Sequence, residues 1–377
     1  MGKVRIVDVA REAGVSLGTV SNALNHPEKV RPDTRKLIDE TIQRLGYLPN
    51  QSARLLAGGR NTAIGLILPG LTSGCSLQIA NGARNEAIRH GYDLIVMNTD
   101  GDAALEDRYV NFFVGIQVAG ILIQPAPSMR PRPVAEVPVP TVYVDMPWEP
   151  EATATVAAGY RAQGRLIAEH VLARGAERVA VVGRAESVQL AERLEGIRDM
   201  FSGYGDVSLE IYNEGATEGT GDGARLGAML AGRNERVRPD AIIGLTDAIA
   251  MGALAGVMAA GCSVPDDIMV AGCDGNPLAW GGPVPLTTCS PAGYELGRKG
   301  AQLIIERIIW DEERDREAKR AAARGLGRSA FADEPPVAHE TVRPFLLERA
   351  STVSWPAAPA GGDPVAGIPE FDAGAYL

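Results

Sequence analysis

The chain has 377 residues, 45% of them hydrophobic, with a mean hydropathy of −0.03. That length is enough for two or three domains, and no stretch reaches the ~20 unbroken apolar residues of a membrane-spanning helix. The formal charge of −10 hides an asymmetry: residues 1–60 hold ten Lys/Arg against six Asp/Glu, a balance of +4 that leaves −14 for the rest. A basic head on an acidic body suits a protein that meets phosphates with one end only.

Residues 4–24, VRIVDVAREAGVSLGTVSNAL, read as two short helices joined by a tight turn. Val9, Ala10 and Ala13 line one face of the first helix, and Gly14, free to take positive φ, ends it. Ser16 is a good N-cap for the second. Val20 and Leu24 repeat at i, i+4 and face the first helix. Leu17, Gly18, Ser21 and Asn22 remain on the outer face. This is the geometry of a helix-turn-helix, whose second helix offers its N-terminal residues to the major groove.

Pro32 and Asp33 suit the first turn of a third helix, with Leu37, Ile38, Thr41, Ile42 and Leu45 as its inward stripe and Gly46 as its stop. Asn50 can cap a fourth, very short helix over 51–57. Two turns are too few to hold alone in water, so this piece is expected to order only on DNA or a partner.

From Thr62 the texture alternates between strands and helices. Apolar runs of strand length stand at 63–68, 93–98, 120–124, 141–145, 178–183, 241–245 and 268–274. Helical patterns at 76–90, 157–173, 187–203, 222–232 and 247–260 separate them. Near-continuous apolar strands with intervening helices predict parallel sheets covered on both faces, one large or two smaller. The Pro-rich stretch 125–140 and the region 148–155 are the candidate crossings between two lobes. Residues 311–336 are highly charged and read as a solvated helical extension or loop, with a second nucleic-acid contact as the sharper reading. Residues 356–377, rich in Pro, Gly and Ala, read as a disordered tail.

The order DVAREAGVSLGTVSNALN, VRPDTRKLIDETIQRLGYLPNQSARLLAGG and TAIGLILPG resembles the lactose/galactose-repressor (LacI-type) family of bacterial regulators. The likeness continues through GYDLIVMNTDGD, AERLEGIRDMF, TDAIAMGALAGVMAAGCSVPDDIMVAGCDG and a late RPFLLERAST, covering about residues 4–350. It implies an all-α helix-turn-helix headpiece (1–49), a hinge helix and linker (50–60), and a two-lobed α/β body with parallel sheets like that of periplasmic binding proteins (61–350). A tail follows at 351–377. The implied function is a ligand-regulated transcriptional regulator, most simply a repressor. It would bind a palindromic double-stranded operator as a homodimer, with a small polar effector, sugar-like or nucleoside-like, between the lobes.

Carried over by position, the resemblance places Leu17, Gly18 and Asn22 where such regulators read base edges. Asn22 can pair with an adenine and Leu17 can touch a thymine methyl. Thr19, Ser21, Asn25 and Tyr47 fall at phosphate-contacting positions. Asn50, Ala53, Arg54 and Leu56 belong to the hinge, Leu56 as the minor-groove wedge. In the body, Arg193, Asp145 and Asp274 match effector-contacting positions at strand ends, and Ser73 and Thr246 flank the same cleft. Pro291 and Thr217 stand where relatives carry ligand-facing polar or stacking side chains. Trp148 and Trp280 are the candidate stacking replacements.

Rival functions fare worse. A solute-binding or sensor protein shares the two-lobed body but would need export and would not carry residues 4–58. The opening MGKVRIVD has no apolar run, which predicts a cytoplasmic chain. GTGDGARLG (219–227) misses the dinucleotide spacing GxGxxG. The histidines His26, His90, His170 and His339 have no metal-ligand spacing. Cys75, Cys262, Cys273 and Cys289 are scattered, with no CxxC pair. No Ser or Cys sits in a nucleophile elbow. No catalytic residue, metal or cofactor is expected.

Overall fold

A computed structural model describes residues 4–47 except 26, then 61–126, 137–146, 153–212, 219–324 and 337–354. The chain divides into two compact units, Met1–Thr62 and Ala63–Leu377.

The first unit holds α1 (Ile6–Glu12), α2 (Leu17–Asn25) and α3 (Pro32–Leu45), with a 3-10 turn at Pro27–Lys29. Ser16 Oγ accepts from Thr19 N at 3.1 Å and so caps α2. Gly14 and Gly46, both at φ +64, end α1 and α3 in the left-handed conformation that glycine adopts without a Cβ clash. Val9, Val20 and Ile38 are fully buried where the three helices meet, with Ala10, Ala13 and Ala23 around them. Leu37 departs from its expected place and is 46% exposed. The inward stripe is Ile38, Thr41, Ile42 and Leu45, spaced i, i+3, i+4, i+7. Leu37 precedes it by one residue, a rotation of about 100° off that face.

The described residues of the second unit form two six-stranded sheets. The first has the order β11-β5-β4-β3-β1-β2 and is parallel throughout. Its strands are β1 (Ala63–Leu68), β2 (Asp93–Asn98), β3 (Gly120–Ile123), β4 (Thr141–Val144), β5 (Thr155–Ala158) and β11 (His339–Val342). The second has the order β12-β10-β9-β8-β6-β7 and is parallel except for the β10–β12 pair. Its strands are β6 (Arg178–Val182), β7 (Ser208–Tyr212), β8 (Ala241–Gly244), β9 (Met269–Gly272), β10 (Thr287–Ser290) and β12 (Phe345–Leu347).

Helices cover both faces of each sheet. On the first, α4 (Gly74–Arg89) and α10 (Gly293–Ala323) pack over Leu66, Leu122 and Val144, and α5 (Ala103–Gly115) covers Ile67, Ile121 and Tyr143. On the second, α6 (Tyr160–Ala173) and α7 (Val188–Phe201) cover Val179, Val181 and Ile243. The opposite face, Ala180, Val182 and Ile242, lies under α8 (Thr220–Ala231) and α9 (Asp247–Ala259). Alternate residues of one strand thus serve two cores, which is why these strands are apolar throughout.

Among the described residues the chain passes between the sheets three times, after β5, after β10 and between β11 and β12. The first passage spans Gly159, the second Pro291–Ala292 and the third Arg343–Pro344. This corrects the expected crossings. The described ends of 125–140 join β3 to β4 within one sheet, and the end of 148–155 leads into β5 of that same sheet. The charged stretch from 311 continues α10 as helix to Ala323 with no buried residue beyond Ile308. Ser351 and Thr352, expected to open a tail, are buried instead. Ser351 Oγ accepts from Thr287 N at 2.8 Å. Among the described residues no helix is long and apolar enough to cross a membrane.

Candidate functional site

In the head, Leu17 is 48% exposed and Gly18 and Asn22 are exposed, so the start of α2 presents the three residues expected to face bases. Thr19 is half-buried, with Oγ1 2.8 Å from Ser16 Oγ. Ser21 is half-buried and Asn25 ends α2. Tyr47 is half-buried against the head core. Asn50, Ala53, Arg54 and Leu56 lie outside the described residues.

In the body, a cavity of about 440 Å³ opens between the two sheets. Its wall includes Ser73, Asp145, Arg193, Thr246 and Asp274. Local structure explains why they converge. Asp145 follows β4 and Asp274 follows β9 at the carboxyl ends of parallel strands, where such sheets place ligands. Ser73, Ser187 and Thr246 are the N-caps of α4, α7 and α9, so three helix starts face the cavity. Each of these hydroxyls accepts from its own helix and keeps its proton to donate.

Arg193 is almost fully buried. Its Nη1 donates to Leu245 O, to Cys273 O at 2.8 Å and to Asp274 Oδ1 at 3.4 Å; its Nε donates to Gln163 Oε1 at 2.8 Å. Burial opposes its charge, but Asp274 and neighbouring groups more than offset that and hold it protonated. Asp274 Oδ2 accepts from Asp247 N at 3.1 Å.

Asp145 adopts φ +61, an unusual conformation for a residue with a side chain, and its N–H donates to Val156 O at 2.7 Å. Its carboxylate accepts from Tyr160 Oη and from Gln124 Nε2, the latter at 2.7 Å. Burial pushes it up to about 6; the bonds from Tyr160 and Gln124 and the charge of Arg193 resist that, while Asp274 adds to it. Asp100, which also lines the cavity, is at φ +52, and Ala292, in the second passage, at φ +62. Three of the four described non-glycine residues with positive φ therefore lie at the cavity or beside it, where strain of this kind tends to gather.

Trp280 is a correction. It is not part of the cavity wall. It ends the 3-10 turn Pro277–Trp280, and the Arg349 guanidinium lies 5.4 Å from its ring centroid. Trp148 and Thr217 lie outside the described residues. Pro291 does line the cavity, and Tyr160 is the aromatic residue among its described wall residues.

Sequence reasoning missed Tyr160, Gln124, Gln163, Gln189 and Asn276. Gln124 carried a usable signal: it is a polar residue ending an apolar strand, as Asp145 and Asp274 are. Tyr160 and Gln163 sit inside a helical pattern with nothing to set them apart. The glycines of 219–227 have a packing role: a Cβ on Gly223 would stand 2.1 Å from Ile249 O, and one on Gly227 2.2 Å from Ala253 O.

Residues 5–50 match the family model described as bacterial regulatory proteins, lacI family, and residues 168–328 match a periplasmic binding protein-like domain. Catabolite control protein A of Staphylococcus xylosus is 30% identical over 309 residues, 80% of this chain and 92% of the relative. The chain belongs to the LacI family. Solved structures of LacI-family regulators share its fold. The lac repressor dimer bound to operator and an anti-inducer aligns with a TM-score of 0.69 and 22% identity, covering 94% of this chain and 100% of that one. The regulator CelR in complex with cellobiose aligns with a TM-score of 0.59 and 23% identity, covering 92% and 99%.

Proposed function

We propose that this LacI-family chain is a repressor that binds a palindromic operator as a homodimer and releases or tightens it when a small polar effector occupies the interlobe cavity. The supporting observation is the pairing in one chain of an α2 with outward Leu17, Gly18 and Asn22 and a body whose cavity wall is drawn from both sheets. Two heads would then sit about one helical turn apart on the duplex, and effector-driven rotation of the lobes would alter their spacing. Leu56, carried over by position from the family hinge, is the proposed wedge at the operator centre.

Charge narrows the effector. The cavity wall carries Asp100, Asp145 and Asp274 against Arg193, whose Nη1 and Nε already serve Asp274, two carbonyls and Gln163. A phosphorylated metabolite would meet more like charge than opposite charge. An uncharged polyol fits: carboxylates and Gln189 Oε1 (buried, with no partner in the described residues) accept its hydroxyl protons, and the capping hydroxyls and Asn276 donate. The test is a gel-shift titration against a palindrome from the gene's own upstream region, with and without cellobiose, D-ribose and their phosphates. A sequence-specific, salt-sensitive shift that a neutral sugar modulates is expected. Sugar binding without any specific shift would instead favour a solute-binding protein.

A further inference from the structure

Tyr160 stands where the chain first passes from one sheet to the other, and it reaches into both lobes. Its ring is buried in the core beneath the first sheet, with Val156, Leu296 and Val342. The helix it opens, α6, packs from Ile167 onward against the second sheet. Its hydroxyl donates to Asp145 Oδ1 at the end of β4. The guanidinium of Arg193, from the second lobe, lies 5.5 Å from the centroid of its ring. One turn further along α6, fully buried Gln163 accepts from Arg193 Nε and donates to Cys289 O of β10 at 2.5 Å. Among the described hydrogen bonds none joins Asp145 directly to Arg193, and Tyr160 touches both.

We propose that Tyr160 is the positioning residue of the cleft: its hydroxyl and its ring fix where Asp145 of the first lobe and Arg193 of the second stand relative to each other, and so how both meet an effector. This rests on the cavity being the effector site, so the deciding measurement is one that needs no effector. The groups facing Asp145 are Tyr160 on α6, Gln124 after β3, Cys75 on α4 with Sγ at 4.0 Å, and the charges of Arg193 on α7 and Asp274 after β9. Gln189 on α7 donates to its backbone carbonyl at 3.3 Å. Of these, Tyr160 and Gln124 favour the ionised carboxylate by donating to it.

Tyr160→Phe keeps the ring over Arg193 and removes only the hydroxyl. In the full chain labelled with ¹³C-aspartate, with Asp145→Asn used for assignment, the substitution should raise the titration midpoint of Asp145 by about one pH unit. A tyrosine that only packed, without donating to Asp145, would leave the midpoint where it is. Far-UV circular dichroism confirms that the variant is folded. A midpoint that moves by less than about 0.2 unit overturns the proposal. Cellobiose and D-ribose are then titrated calorimetrically into both proteins. A sugar that binds wild type should bind the variant about tenfold more weakly, the size expected when one charged-group hydrogen bond is lost. Unchanged affinity despite a moved midpoint overturns the link to ligand geometry. If wild type binds neither sugar while the midpoint moves, the failure belongs to the effector assignment, and the hold of Tyr160 on Asp145 stands.

Discussion

Asp247 has its carboxylate fully withdrawn from water at the first residue of α9. Burial first, and then the charge of Asp274, push it up to about 7. Hydrogen bonds from Thr288 Oγ1 and Asn276 N, both at 2.6 Å, and the charge of Arg349 resist the shift. The folded value lies above that of an unfolded aspartate, so the native chain binds the proton more tightly between about pH 4 and about pH 7. The stability this group contributes is complete below that window and is lost as pH rises through it. His170 acts in the opposite sense, because burial lowers its folded value, so absolute stability mixes the two. Urea unfolding of wild type and Asp247→Asn at pH 5, 6 and 7 separates them. The gap should move in favour of the variant as pH rises; a constant gap would mean that Asp247 is ionised throughout. A simpler case is Ser16→Ala, which removes the cap on Thr19 N and should cost the head about 1 kcal/mol in thermal unfolding. At this scale the sequence was informative wherever a residue type has one dominant use. Gly14, Ser16 and Gly46 are legible because turns and caps select them. Tyr160 and Gln163 are not, because a buried polar side chain shows its purpose only through partners distant in the chain.

Helix pairing in the body depends on close backbone approach. Gly223 and Gly227 on α8 lie against the backbone of Ile249 and Ala253 on α9, and Gly252 and Gly256 on α9 against that of Thr220 and Ala224 on α8; a Cβ on Gly252 would stand 2.0 Å from Thr220 O. The same device joins α6 to α7, where a Cβ on Gly164 would stand 1.9 Å from the carbonyl oxygen of Arg193. Gly223→Ala should therefore force the α8–α9 pair apart and cost about 3 kcal/mol. Gly221→Ala, in the same helix but with nothing within 4 Å of its Cβ, should be neutral or stabilise by up to about 1 kcal/mol. Chemical denaturation of the two variants checks the contrast, and equal effects would remove packing as the reason for Gly223. The same packing shows which elements could be read in advance. β1, β3, β6, β8 and β9 are buried on both faces and appear as apolar runs. β10, TTCS, is just as buried but polar, because Thr287 and Thr288 bond to Arg349 N and Asp247 rather than to apolar neighbours. β7 sits at a sheet edge with two of its five residues exposed and none buried, and β5 is four residues of TVAA. Periodicity offers little at any of these.

For the whole molecule, the two-lobed layout follows from alternating strands and helices, but the crossings do not. Each is made by one or two residues, at Gly159, Pro291–Ala292 and Arg343–Pro344, too short to change local composition. Charge, by contrast, is legible along the entire chain, and it bears on the proposed dimer. Binding of a basic head releases condensed counterions, and the slope of log affinity against log salt is about −0.9 per phosphate neutralised. The acidic body adds repulsion but neutralises no phosphate, so the slope counts heads. If two heads engage one palindrome, the slope on the full site should be about twice that on a half-site duplex too short to seat a second head, whatever the absolute affinities. Fluorescence anisotropy from 50 to 200 mM salt on the two duplexes measures this directly. Equal slopes would mean that a single head carries the binding, and the symmetric operator would have to be given up even if the affinity were high.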